Sequence, residues 1–562
     1  MSKLSTLTWV ALLSLGADSA LACGGFFCNS LTPVTQSAER ILFARDGDQI
    51  EMHVQINYQG PSVDFGWILP AAPDVETDVS TEALFSRLDG AFQPRFRLDV
   101  EYGPNCEFLE EEFLADSGLA GNFDGAVPPP APMVNVLSRE AVGPYDRVIL
   151  QADNTQVLFE WLAQNEFAIP ADAADRLEPY IEGHVFVAIK LLAGNDSDDI
   201  KPLRLRYTAP QPSIPLRPTA VAAQPDMGII VYVLGAGRAV TLNYLHVEIN
   251  DALINWERGG DNYEDVVSHA VDQAGGRAFV TDFAGPHADA IGQFQVEVDL
   301  DGLRMVRNLA QLLDYARALR SPDLIKLVRE VVVPPEGVDV DDVLQRPFDY
   351  DAQSIAVDGA ALVAAIETQI LPVYQGLNGL FAAHAKLTRL FSTMSADEME
   401  VDPLFDLNVD LADVSNLHVA QKLITCGGEP GEPDANFPGL NEGVVTTPSG
   451  HEYRSEDGEN PNRVIRQEGQ TVRGMEQMAA AIIEQQMPAG QSEMETDNRP
   501  EIEEMMPPIG GAGGGGGGAD DDDSSGCICD ATEGPVSPVL ILGALILFGL
   551  RRRRIRGRRP GR

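Results

Sequence analysis

The chain has 562 residues, 44% of them hydrophobic, which allows two or three domains with a sizeable core. Its 85 acidic and 40 basic residues give a formal net charge of -45. This charge repels the phosphates of nucleic acids and therefore argues against a nucleic-acid partner.

The first 22 residues are typical of a secretory signal peptide. Lys3 precedes an apolar run over residues 4–15 that is too short to span a bilayer, and an A-x-A sequence ends at Ala22. We therefore predict export, with signal peptidase cleaving between Ala22 and Cys23. Two alternatives stay open: a buried N-terminal helix, and a lipobox in which Cys23 is lipidated, although that motif usually has leucine where this chain has Ala20.

Exported cysteines meet an oxidising compartment in which disulfides persist. Two of the six cysteines belong to the C-terminal tail, and the other four are candidate disulfide partners: Cys23, Cys28, Cys106 and Cys426. Three pairings are possible, of which we favour Cys23 with Cys28 and Cys106 with Cys426. Because the sequence has no CxxC pair and no histidine at ligand spacing from these cysteines, we predict no metal and no cofactor.

Predicted strands dominate residues 37 to 302. Alternating apolar and polar residues in "QIEMHVQINY", "RFRLDVEY" and "FQVEVDL" predict half-buried strands, and the apolar runs "VFVAIKLL" and "MGIIVYVLG" predict strands covered on both faces. Helices are predicted at "STEALFSRLDGAF" and "DNTQVLFEWLAQN". This order predicts an α+β domain over residues 23–302, a mixed or antiparallel sheet body with interspersed helices.

Helical spacing replaces the alternation after Gly302. Apolar residues recur every three or four positions in "LRMVRNLAQLLDYARALRS", "ALVAAIETQIL" and "GLNGLFAAHAKLTRLFSTM". They predict a mainly helical subdomain over residues 303–426. His384 lies between two alanines in this region, and we interpret it as a packed structural histidine rather than a functional one.

Residues 427–526 are predicted to form a disordered linker that is rich in glycine, proline and acids. Only "GMEQMAAAIIEQQM" is predicted to form a short helix there. The stretch "GGAGGGGGGADDDDSSG" at residues 510–526 cannot bury a core and predicts a flexible tether.

The tail, residues 527–562, combines a short apolar stretch with a basic block. Residues 536–550 would form a helix of roughly 22 Å, whereas a bilayer core needs about 30 Å. The basic residues directly after it would stay on the cytoplasmic side: Arg551, Arg552, Arg553 and Arg554. Two interpretations stay open, a short transmembrane helix and a sorting signal that is removed after use.

The order of spacer, Gly526-Cys527-Ile528-Cys529, apolar stretch and arginine block resembles the MYXO-CTERM sorting tail of myxobacterial surface proteins. The resemblance implies cleavage by a membrane peptidase of the myxosortase kind, followed by retention at the cell envelope. Cys527 is the predicted processing site, and Cys529 is the alternative.

Over about residues 23–302 the body contains, in this order, the motifs "ACGGFFC", "VQINYQG", "FGWILPAAP", "LFEWLAQNEFAIP", "IPLRPTAVAA" and "LNYLHVEIN". In number and order, these motifs resemble a bacterial family known as domain of unknown function 2330. Because that family has no established activity, the resemblance implies a location and a fold but no catalytic residue.

The sequence contains no HExxH, GxSxG or GxxxxGK[ST] motif. The acidic stretches at residues 299–302 and 339–342 lack the remaining ligands of a calcium loop, and we interpret them as solvated turns. Ser449 and His451 are too close in sequence for the usual assembly of a catalytic pair through the fold. Glu39 and Arg40 are interpreted as a structural ion pair.

We therefore favour an exported, envelope-anchored protein without enzymatic activity that acts by binding or as a structural component. The alternative is a surface hydrolase whose site is assembled from residues distant in sequence. A third hypothesis is calcium-stabilised adhesion.

Overall fold

The computed structural model describes residues 36–56, 65–103, 135–167, 173–193, 195, 200–221, 223–319, 321–424, 443–455, 460–462 and 478–506. All of them belong to one compact unit, Met1–Ile509. The predictions that fall outside the described residues stay predictions; they concern Ala22, Cys23, Cys28, Cys106, Cys426, Cys527, Cys529 and Arg551 to Arg554. Among the described residues, no helix combines the length and the apolar character needed to cross a bilayer.

The described strands are β1 (Gln36–Asp46), β2 (Gln49–Ile56), β3 (Gly66–Ala71), β4 (Glu76–Val79), β5 (Arg95–Tyr102), β6 (Asn135–Val142), β7 (Tyr145–Gln151), β8 (Val185–Leu191), β9 (Leu203–Thr208), β10 (Ala223–Gly235), β11 (Arg238–Thr241), β12 (Leu245–Ile249), β13 (Ala278–Pro286), β14 (Val332–Val333), β15 (Ala356–Val357), β16 (Lys386–Met394), β17 (Phe405–Asn408), β18 (Leu417–Ile424), β19 (Gly443–Thr446), β20 (Glu452–Ser455), β21 (Ala480–Gln485) and β22 (Glu493–Asp497).

The described α-helices are α1 (Glu82–Phe92), α2 (Thr155–Gln164), α3 (Ala173–Leu177), α4 (Leu216–Thr219), α5 (Tyr263–Gln273), α6 (Ala288–Ile291), α7 (Leu300–Arg304), α8 (Leu309–Leu313), α9 (Pro322–Val331), α10 (Val340–Gln345), α11 (Gly359–Ala365), α12 (Leu371–Ala383) and α13 (Arg499–Met505). A π-helical turn, Ile366–Ile370, joins α11 to α12.

A ten-stranded mixed sheet forms the centre of the fold, in the order β22-β21-β12-β13-β16-β10-β1-β2-β9-β4. Strand β1 pairs in parallel with β10 and antiparallel with β2. A four-stranded antiparallel sheet, β3-β8-β7-β6, covers one face, and β20-β19-β18-β5 forms another four-stranded sheet. The predicted α+β class with a mixed sheet is therefore confirmed.

Alternation along the strands divides the apolar side chains between two cores. On β1, Ile41 and Phe43 pack towards β3 and β8, whereas Leu42 and Ala44 belong to the core that contains the helices. The second core includes residues of α1, α5, α9, α11 and α12. Helices α2 and α3 cover the other face of the β3-β8-β7-β6 sheet. The result is a layered arrangement in which both faces of the central sheet are buried.

Three predicted elements differ from the structure. Residues 386–394, predicted as helix, form β16 between β10 and β13, where main-chain hydrogen bonds on both edges outweigh local helical spacing. The predicted strand "FQVEVDL" has no described strand partner, and its last residue, Leu300, begins α7. The long helix predicted after Gly302 is broken into the short helices α7 and α8.

The region predicted as a disordered linker also contains ordered elements. Strands β19 and β20 extend the β18-β5 sheet, β21 and β22 extend the central sheet, and α13 follows them. The predicted helix "GMEQMAAAIIEQQM" is wrong over residues 480–485, which form β21. One continuous core contains residues from both sides of position 302, so the sequence boundary placed there does not coincide with a break in the core.

Candidate functional site

Three polar side chains form a hydrogen-bonded line on the helix-covered face of the central sheet. Ser80 Oγ lies 2.7 Å from His53 Nδ1, and His53 Nε2 lies 3.0 Å from Glu51 Oε1. Arg206 Nε contacts the other carboxylate oxygen of Glu51 at 2.6 Å. A serine, a histidine and a carboxylate in this order are the groups that nucleophilic catalysis uses.

The strand order brings these residues together. Glu51 and His53 are two positions apart on β2, so that their side chains point to the same face of the sheet. Arg206 lies opposite Glu51 on β9, the next strand. Ser80 follows β4, the edge strand beyond β9, and directly precedes Thr81, the N-cap of α1. The alternation of β2 therefore predicts that Glu51 and His53 lie on the same face of the sheet. No pattern in the sequence predicts that Ser80 lies beside them.

The electrostatics of the line favour a neutral histidine beside an ionised carboxylate. Burial lowers the pKa of His53 and outweighs the opposite influence of Glu51. Burial alone would raise the pKa of Glu51, but hydrogen bonds from His53 and Arg206 outweigh it and lower that pKa to about 2. A neutral His53 donates from Nε2 to Glu51 and accepts at Nδ1 from the Ser80 hydroxyl.

The Ser80 hydroxyl is too buried to act as a nucleophile on a substrate from solvent. Ser80 is 4% exposed and His53 is 1% exposed. The backbone N–H of Ser80 donates to the carbonyl of Pro202 at 2.6 Å, which ties the serine to the segment before β9. A substrate would have to displace buried side chains before it reached the Ser80 Oγ. The hydrogen bonds of Glu51, His53 and Ser80 therefore have a structural role: they connect β2 to the start of α1.

A groove of about 690 Å³ opens beside α1. Its walls are α1, the segment 295–299 and residues 314–324, and Tyr374 of α12 also lines it. The lining residues that carry charge or a ring are Arg87, Glu297, Asp299, Asp314, Tyr315, Arg317 and Tyr374. None of Glu51, His53 and Ser80 lines the groove, so among the described residues the groove and the Ser80 line are separate features.

The segment 295–298 gives this groove an unusual wall. No backbone N–H or C=O of these four residues is hydrogen-bonded to another group in the described part of the chain. Phe294, by contrast, is held at both its N–H and its C=O by the Asn378 side chain, each at 2.8 Å. Val296 and Val298 pack against the core, whereas Gln295 and Glu297 are exposed.

Contacts on either side hold the groove in shape. The Arg87 guanidinium lies 4.5 Å from the centroid of the Phe294 ring and donates to the carbonyl of Gln293. Buried Asp323 accepts from the Thr81 hydroxyl, and the Tyr374 hydroxyl lies 3.5 Å from the same carboxylate oxygen. Arg317 is exposed and makes no ion pair or hydrogen bond with any described group.

Other residues singled out in the sequence have structural contacts. Asp299 caps α7 and Asp339 caps α10, in each case by accepting from the backbone N–H two residues later. The Ser449 hydroxyl donates to Asp251, not to His451. No group of three or more metal-ligating side chains is found within the described residues.

Glu39 and Arg40 do not pair with each other. They are neighbours on β1 and therefore point to opposite faces of the sheet. Arg40 forms an ion pair of 2.9 Å with Asp89 of α1, whereas Glu39 is buried and interacts with Thr219. His384 is half-buried at the end of α12, and its carbonyl accepts from His287 Nε2 at 2.8 Å.

Comparison with known proteins gives one finding. Residues 17–296 match the model of a family described as "Uncharacterized protein conserved in bacteria (DUF2330)". No curated protein matches the chain, and no solved structure does either.

Proposed function

From the match of residues 17–296 to the model of the DUF2330 family of bacterial proteins, we propose that the protein is exported and held at the cell envelope by its tail. We further propose that it acts by binding an extended peptide segment in the groove beside α1. The binding function rests on the backbone groups of residues 295–298, which lie along an open groove and have no hydrogen-bond partner among the described residues.

An extended peptide is the ligand that matches these backbone groups. Their N–H and C=O groups can pair with a second main chain, as an added strand pairs with a sheet edge. Among the described lining residues, Glu297, Asp299 and Asp314 contribute three carboxylates to the groove against the two guanidinium groups of Arg87 and Arg317, and Arg87 already contacts Gln293 and Phe294. Together with the net charge of -45, this favours a peptide that carries lysine or arginine.

Export and envelope retention rest on the sequence alone. The signal peptide ending at Ala22 and the tail with Cys527 and the arginine block support both parts of the proposal. In this arrangement signal peptidase would process one end and a myxosortase-like peptidase the other, with residues 510–526 as the spacer. The body would then face the outside, where peptide segments of envelope proteins are accessible.

The groove is tested by fluorescence anisotropy with a dye-labelled peptide of alternating threonine and lysine. We expect saturable binding that falls at least about tenfold when alternate peptide nitrogens are methylated, because methylation removes main-chain donors. Replacing lysine by glutamate in the peptide should also weaken binding. Equal affinity for the methylated peptide would contradict main-chain pairing.

Two protein variants distinguish the contribution of the main chain to peptide binding from that of the Glu297 side chain. Glu297→Pro removes the backbone N–H at the centre of the unpaired segment, whereas Glu297→Ala removes only the carboxylate. We expect the proline variant to lose more affinity than the alanine variant, with circular dichroism unchanged in both. The reverse order would contradict the proposed edge pairing.

The hydrolase alternative is favoured by one observation, the Ser80–His53–Glu51 line, and has its own test. Incubation with a fluorophosphonate, which modifies activated serines, should leave the intact mass of the protein unchanged because Ser80 is buried and the reagent cannot reach it. Covalent labelling that disappears in Ser80→Ala and persists in Ser86→Ala would establish the hydrolase instead.

A further inference from the structure

A second, smaller pocket brings together three arginines in this acidic protein. It has a volume of about 330 Å³ and is lined by Asp175, Arg176, Arg217, Arg277, Glu400 and Val401. The arginines come from α3, α4 and the residue before β13, so only the fold brings them together. From this lining we infer that the pocket is a binding site for a small, multiply charged organic oxyanion.

The guanidinium groups have donors to spare. Each has five N–H donors, in a planar fork that matches carboxylate and phosphate oxygens. Among the described groups, Arg217 uses only its Nε–H, towards the Glu400 carbonyl, and Arg277 uses one terminal nitrogen, towards the Glu400 carboxylate. Arg176 binds the carbonyls of Met399 and Ala396, each at 3.2 Å.

Further hydrogen bonds hold the loop that carries Glu400 and Val401 in place. The Tyr244 hydroxyl donates to the Val401 carbonyl at 2.6 Å, and the Asn243 amide donates to the Asp402 carbonyl at 2.8 Å. The Tyr180 hydroxyl donates to the Asp402 carboxylate. Because these contacts anchor the loop before a ligand arrives, little ordering is needed on binding.

Glu400 acts as an exchangeable occupant of the site. Its side chain is 63% exposed, and its carboxylate contacts Arg277 at 2.6 Å in a pair whose arginine is 39% exposed. An exposed pair of this kind contributes little to stability, so an incoming anion can displace the carboxylate at small cost. A pocket of this volume lies at the lower end of the range for small-molecule sites, which favours a compact ligand.

Phosphate monoesters and di- or tricarboxylates share the required chemistry. Isothermal titration of the purified full-length chain at low ionic strength with citrate, with glycerol phosphate and with sodium chloride distinguishes them. We expect saturable binding of citrate or glycerol phosphate and none of chloride. The better of the two then identifies the class of oxyanion.

Two variants should change the affinity for the anion in opposite directions. Arg277→Gln should weaken binding at least about tenfold with an unchanged melting temperature, since only an exposed ion pair is lost. Glu400→Gln should strengthen binding several-fold because it removes the competing carboxylate. The control Arg97→Gln, an exposed arginine paired with Asp99, should change neither. No saturable binding, or weaker binding by Glu400→Gln, would overturn the inference.

Discussion

Arg389 and Asp282 form an ion pair inside the protein, with their side chains 7% and 1% exposed. Arg389 lies on β16, and the pairing of β13 with β16 shifts register between Thr281 and Phe283, so that Asp282 is the extra residue of a bulge. A bulge re-aims a side chain, here towards the guanidinium. Arg389 Nε also lies 3.3 Å from the Tyr232 hydroxyl.

We predict that Asp282→Ala lowers the free energy of unfolding by about 3–5 kcal/mol. The variant leaves Arg389 charged and uncompensated in the core, which costs more than the pair itself contributes. Urea unfolding of the purified chain measures the difference. In the double variant Asp282→Ala/Arg389→Met the loss should be smaller than in the single variant, because no charge is left buried.

The matched control for this pair is exposed. Arg97 and Asp99 form an ion pair at 2.8 Å, with side chains 57% and 42% exposed. Asp99→Ala should change the free energy of unfolding by less than about 0.5 kcal/mol, because solvent screens the pair. Similar losses at Asp99 and Asp282 would show that burial is not the cause.

Glu39 makes stability depend on pH in a defined direction. Burial raises its pKa from 4.5 to about 7, while the hydrogen bond with Thr219 lowers it only in part. Between these two values the folded chain holds a proton that the unfolded chain has released, so stability falls as pH rises. Relative to the wild type, Glu39→Gln should therefore gain about 3 kcal/mol between pH 4.5 and pH 8.

Urea unfolding at several pH values measures this gain, and Glu297→Gln provides the exposed control. Comparing each variant with the wild type removes the contribution of the buried histidines, whose lowered pKa values act in the opposite direction. A difference between Glu39→Gln and the wild type that stays constant with pH would refute the assignment.

Gly260 holds an aromatic cluster against β5. Its φ is +76°, and a Cβ added there would overlap the Phe96 ring, which packs against Trp256 and Tyr263 at 5.4 and 5.3 Å between ring centroids. Gly260→Ala should therefore destabilise the fold by about 2–4 kcal/mol, from backbone strain and overpacking together.

Gly47 separates these two causes. Its φ is +62°, but an added Cβ would meet nothing within 4 Å. Gly47→Ala should cost only about 1 kcal/mol, from the left-handed backbone alone. Thermal unfolding measures both variants, and equal losses would exclude the contact with Phe96 as a cause.

The tail makes a prediction that needs no structure. The full chain should stay with the envelope fraction, whereas a chain ending at Gly526 should be secreted freely, because it lacks the apolar stretch and the arginine block. Cys527→Ser should leave an unprocessed species of larger intact mass. An unchanged mass would point to Cys529 or to no cleavage, and identical fractionation of both chains would refute sorting by the tail.

The line at Ser80 shows how much of a candidate site a sequence contains. Glu51 and His53 were already predicted to share a strand face, since the alternation of β2 is a local property. Ser80 approaches them only because β9 and β4 extend the sheet beyond β2, and strand order is not written in local spacing. The three arginines of the small pocket are separated in sequence for the same reason.

Periodicity by itself determined the α+β class, strands β2, β5, β8 and β10, and helices α1 and α2, because side-chain direction repeats every two or 3.6 residues in any context. Only the tertiary structure decided which segments pair with neighbouring strands through main-chain hydrogen bonds. Residues 386–394 form a central strand between β10 and β13, whereas the backbone groups of residues 295–298 pair with no other segment in the described part of the chain. The reason is that main-chain pairing depends on neighbours brought in from distant parts of the chain, which no local pattern specifies.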